Sequence, residues 1–74
     1  MTKAQTVQTQ LDVLYDWIAE LRENFDDDLG RVVPFEYSAR LRAAMNLHGI
    51  TNPHTAWIIF SARAEALSDL RDRL

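Results

Sequence analysis

A chain of 74 residues, 47% hydrophobic and 26% charged, has the composition of one folded domain with no room for a second core. It has no cysteine, so neither disulfides nor thiolate metal ligands can staple so small a core, and association is the stabilising device left open. The formal charge of −3 speaks against a nucleic-acid binder, and no apolar run approaches the roughly 20 residues of a membrane span.

The opening MTKAQTVQTQLDV lacks the basic start and apolar run of a signal peptide, so a cytoplasmic protein is expected. Residues 1–30 hold two basic against seven acidic side chains, a balance of −5. Residues 31–74 hold six arginines against four acids, a balance of +2.

The first predicted element is a long helix near residues 3–28. Val7, Leu11, Leu14, Ile18, Leu21 and Phe25 recur at spacings of 4, 3, 4, 3 and 4, which is an a/d seam. Thr2 and Gln5 fit a capping box at its start, with Thr6 as a competing cap. Val13 and Trp17 form a weaker apolar flank beside the seam, as on a helix with more than one neighbour. On the outer face Asp12, Asp16, Glu20, Glu23 and Asp27 follow at spacings of 4, 4, 3 and 4. Like charges so spaced oppose a helix by about 0.2–0.5 kcal/mol each. Asp26, Asp27 and Asp28 would also sit at the helix C-terminus, where the dipole disfavours anions.

Gly30 and Pro34 separate this element from a short second helix near 34–48. Tyr37, Leu41, Ala44, Met45 and His48 share its apolar face, while Arg40 and Arg42 project to either side. Gly49 ends that helix, Asn52 caps the next and Pro53 occupies its first position, which predicts a third helix near 53–73. Its main face carries Ala56, Phe60, Ala64, Leu67, Leu70 and Leu74, with Trp57 and Ile59 on the shoulders. Ile58 lies about 160° from Phe60 and has no place on that face.

The expected fold is therefore all-α, a single domain over 1–74 built as a three-helix bundle of two long helices and one short one. At about 1.5 Å per residue the outer helices exceed 30 Å and the middle one reaches about 20 Å, so part of the seam is left uncovered. A second copy could cover it, giving a homodimeric helical bundle, and so could a different protein. The alternative is a compact monomer whose loops close over the first turn of the third helix.

The acidic row has two readings: a solvated face neutralised by Arg63, Arg71 or Arg73, or a strip that meets a basic surface. The second makes the chain a small non-catalytic binding protein, a regulator or inhibitor docking on a larger macromolecule. Small acidic helical proteins of phages and mobile elements offer an analogy. Asp12, Asp16, Glu20, Glu23 and Asp27 would supply its charge, and Trp17 and Ile58 its apolar contact.

A dimeric helix-turn-helix regulator is the alternative, with Arg40, Arg42 and Arg63 on phosphates. Against it, Ala44 to Gly49 is one residue longer than the usual spacing, and the third helix has no arginine before Arg63. A purely structural subunit is the third reading.

Catalysis is not expected. Ser38, Ser61 and Ser68 have no histidine or lysine at a suggestive spacing, and two glycines cannot build a phosphate cradle. His48 and His54, without cysteine or a placed carboxylate, make a poor metal site, so no cofactor is expected. DDDLG lacks the alternating ligand spacing of a calcium loop.

Overall fold

In the computed structural model, which describes residues 2–74, the heptad-spaced segment forms α1, Lys3–Arg22. Thr2 caps it, its hydroxyl accepting the Gln5 N–H at 3.1 Å, and Val7, Leu11, Leu14, Ile18 and Leu21 are buried along one face. After a turn come β1, Phe25–Asp26, and β2, Arg31–Val32, a two-stranded antiparallel hairpin with Phe25 opposite Val32. An extended stretch leads to α2, Ala39–Leu47, and a short turn to α3, Pro53–Arg73.

The expected first helix thus ends at Arg22 and not at residue 28. Local side-chain to backbone bonds stop it. Asn24 donates from its side chain to the Glu20 carbonyl at 3.0 Å, and Asp26 Oδ1 accepts from the N–H groups of Asp28 and Leu29 at 2.9 and 3.0 Å. Asn and Asp so placed offer the backbone an alternative to the helix, and the turn keeps three aspartates off the negative end of a helix dipole. Gly30 closes the turn at φ +67, donating to the Asp26 carbonyl at 2.7 Å.

The middle helix is also shorter than expected, beginning at Ala39 and not at Pro34. Phe35 and Tyr37 are half-buried while Glu36 between them is exposed, the alternation of an extended chain. Ser38 is the true N-cap, its hydroxyl accepting the Leu41 N–H at 3.2 Å. Its own N–H donates to Glu20 Oε2 at 2.8 Å. In a capping box that second bond comes from a glutamate three residues into the same helix; here Leu41 holds that position and α1 supplies the carboxylate.

Both ends of the turn into α3 follow the sequence expectation. Gly49 at φ +66 donates to Asn46, and Ile50 donates to the Met45 carbonyl at 2.8 Å, with Met45 and Ile50 both buried: a Schellman motif. Asn52 Oδ1 accepts from His54 and Thr55 ahead of Pro53 at the first turn.

The helices α1 and α3 run antiparallel as the main packed pair. Contacts step in opposite directions along them: Gln8 with Arg71, Trp17 with Phe60, and Phe25 just beyond α1 with Trp57. The core consists of the α1 seam with Ala56, Phe60 and Ala64 from α3, Leu41, Ala44 and Met45 from α2, and Val32 and Ile50 from the connections. Among the described residues no helix is long and apolar enough to cross a membrane.

Candidate functional site

The five acidic positions do not form one continuous helical ridge. Asp12 accepts from the Gln8 side chain at 2.8 Å. Asp16 pairs with Arg40 of α2 at 2.9 Å, so within the chain the cation beside the row is Arg40. Glu20 holds the Ser38 N–H, a structural duty. Glu23 is the C-cap residue of α1, and Asp27 lies in the hairpin turn, off the helix altogether. Arg71 instead donates to Gln8 at 2.7 Å and to Ser68 at 3.2 Å, tying the far ends of α3 and α1 together.

The hairpin gathers the remaining acids at one end of the molecule. Two shallow open depressions meet there, sharing Glu23 and Asn24. One continues along Phe25, Asp26, Asp27, Asp28 and Val33; the other along Glu20, Phe35, Glu36, Tyr37 and Ser38. Phe35 and Tyr37 stand edge to face, centroids 4.7 Å apart, and Arg42 lies 5.9 Å from the Tyr37 ring centre. This surface combines carboxylates with aromatic rings, and carboxylates and ring faces both attract lysine and arginine side chains. Sequence reasoning missed Glu36, Phe35 and Tyr37 as its walls; the signal was the Phe-Glu-Tyr alternation before Ser38.

A second surface is apolar. The groove between α1 and α2 is lined by Val13, Trp17, Ala43, Ala44 and Leu47, with Asp12, Asp16 and Arg40 at its edge. It continues between α1 and α3 past the end of α2, along Val13, Leu14, Trp17, His48, Arg63 and Leu67. Leu47 is 82% exposed and Val13 45%. Leu47 was not singled out in the sequence, although it lies about 110° from the buried face of α2, where a leucine has no helical reason to be.

The two apolar residues expected to act together are apart. Trp17 is half-buried, stacked on Phe60 at 5.1 Å, and lines the groove. Ile58 is 53% exposed and points away from Phe60, so the first turns of α3 leave it uncovered on the side opposite Trp17. Trp57 packs with Phe25 and His54, and its Nε1 is buried without a hydrogen-bond partner among the described residues.

The two histidines serve different neighbours. His48 stands edge-on to Phe60 at 5.7 Å. His54 Nδ1 accepts the Val32 N–H at 3.2 Å and its ring lies against Phe25 and Trp57, latching the hairpin to α3. Among the described residues no three His, Asp or Glu side chains are grouped to hold a metal ion. No family model, curated protein or solved structure matches this chain.

Proposed function

We propose that the chain is a small non-catalytic binding protein, a regulator or inhibitor, which docks on a larger macromolecule through a basic surface of that partner and works as one of a pair of identical chains. The observation that supports the docking is the acidic, aromatic-lined hairpin end, where Glu23, Asp27, Asp28 and Glu36 surround Phe25, Phe35 and Tyr37. Asp12 and Glu20 extend the negative field along α1, whereas Asp16 is offset by Arg40. Such a field speeds encounter and selects partners more than it tightens them.

The helix-turn-helix regulator has less support. Pro53 and Ala56 in the first turn of α3 are buried, and His54 is held against the hairpin, so little of that turn is free to read a groove. Arg40, one of the cations it requires, is paired with Asp16. A structural subunit would need only the apolar seam and would tolerate changes at Glu23 and Asp27.

The test is a capture experiment with wild-type chain and the Glu23→Lys/Asp27→Lys variant. Both residues are exposed and neither side chain makes a hydrogen bond or ion pair among the described residues, so the fold is not at stake. The expected result is a set of basic partners, retained at low salt, that the variant fails to hold. Recovery of the same partners by both proteins would refute the acidic-end reading.

A further inference from the structure

The hairpin is tied to α3 through one atom that can take up a proton. The N–H groups of Gly30 and Val33 turn back into the hairpin, donating to the Asp26 and Asn24 carbonyls at 2.7 and 3.1 Å. The Val32 N–H between them donates instead to Nδ1 of His54 at 3.2 Å. Among the described residues no other hydrogen bond joins the hairpin to α3. The remaining contacts are apolar: Val32 in the core, and the Phe25 ring on Trp57 at 5.1 Å.

A ring nitrogen that accepts a hydrogen bond carries no proton, so in this arrangement His54 is neutral with its hydrogen on Nε2. An imidazolium carries N–H on both nitrogens and would set one of them against the Val32 N–H. Protonation therefore breaks the bond, and it strips the acceptor from an N–H on a residue only 2% exposed.

We propose that His54 is a pH-sensitive latch, which holds the hairpin on α3 when neutral and releases it when protonated. Proton counting gives the sign. The docked hairpin excludes a proton that the released hairpin admits, so docking is favoured as pH rises and release as pH falls.

The groups around the ring are few. The rings of Phe25 and Trp57 stand against it at 6.5 and 5.9 Å, and neither titrates. Arg31 of β2 lines the same depression as His54, so an imidazolium there faces a like charge that release takes away. Asp26 of β1 sits opposite Arg31 in the register, with its Oδ1 occupied by the N–H groups of Asp28 and Leu29. Glu23, Asp27 and Asp28 line a different depression, which His54 does not reach. Along α3 the next charged side chain is Arg63.

The consequence for function rests on the acidic-end reading proposed above. The hairpin carries Phe25, Asp27 and Asp28 of that surface, so the latch fixes it in one arrangement at neutral pH and loosens it in mild acid.

The test is NMR of the isolated full chain between about pH 7.5 and about 5.5, the range in which histidine changes charge. At the upper end His54 should be the Nε2–H tautomer. As His54 takes up its proton, protection of the Val32 amide, corrected for intrinsic exchange, should fall about tenfold relative to Leu11, the effect of losing one buried hydrogen bond. In His54→Asn the amide oxygen takes the place of Nδ1 and gains no proton, so Val32 should stay protected throughout. His48→Gln should leave the wild-type transition in place. An Nδ1–H tautomer at the upper end overturns the proposal, as does protection at Val32 that stays level while His54 protonates. So does a transition that persists in His54→Asn or disappears in His48→Gln. If asparagine fails to hold the hairpin at any pH, the tautomer and the coincidence of the two wild-type titrations decide alone. None of these outcomes involves a partner, and the acidic end is tested separately by Glu23→Lys/Asp27→Lys.

Discussion

Toward the hairpin, rings from α1, β1, α3 and the C-cap of α2 close over one another: Trp17 and His48 on Phe60, Phe25 and His54 against Trp57. At the opposite end, where α1 begins and α3 finishes, the helices meet as a bare pair, held by Val7 and Leu11 and pinned by Arg71 on Gln8. The first end has a third layer supplied by the connections. The second has two helices and a groove. Aromatic contacts add about 0.5–1.5 kcal/mol each beyond the area they bury, so stability is concentrated where the loops are. The difference teaches that a chain this short can complete its core at one end only, while the junction of α1 and α3 past α2 stays an open groove.

The largest predicted effect breaks the closed end. Phe60→Ala removes the fully buried ring that Trp17 and His48 contact and should cost about 3–5 kcal/mol, comparable to the whole stability of a domain this small. Urea unfolding followed by circular dichroism should find the variant largely unfolded without denaturant.

His54→Ala should cost about 1–3 kcal/mol, because the Val32 N–H loses its acceptor beneath a buried side chain. Its signature is local: amide exchange at Val32 and Val33 should accelerate more than at Leu11. An equal rise throughout would show that the hairpin is not a separate layer.

Gly49→Ala should lose about 1 kcal/mol from backbone strain at φ +66, since an added Cβ meets nothing within 4 Å. A drop in melting temperature with unchanged spectra is the expected result.

The smallest change is expected for Asp16→Asn. The Asp16–Arg40 pair is exposed, with side chains 47% and 71% accessible, so its loss should cost less than about 1 kcal/mol and shrink further in salt. A larger loss would mean that this pair, and not the loops, positions α2.

Much of this was legible from residue order. All five seam residues from Val7 to Leu21 are buried, α3 runs over the expected 53–73, and Thr2, Gly49, Asn52 and Pro53 mark helix ends as their chemistry requires. Residues 23–28 read as helix because a two-residue strand is too short to show a period of two, while a helical period continues through Phe25 and Asp27. Residues 34–38 do so because Pro34 offers a first helical position ahead of Ser38. With the helix ended at Arg22, the five-membered acidic row divides: three carboxylates are engaged on α1, and the side chains of Glu23 and Asp27, at the hairpin, have no partner among the described residues.

Periodicity and capping act over three or four residues, so the sequence by itself determined that there are three helices, which faces of α1 and α3 are buried, and the helix ends marked by Thr2, Gly49 and Asn52. The path of the chain between helices depends on contacts made across the fold, such as Glu20 on Ser38 and His54 on Val32, 18 and 22 residues apart. Only the tertiary structure therefore decided where α2 comes to rest, that Leu47 is left in solvent, and which stretch of the α1–α3 junction stays open.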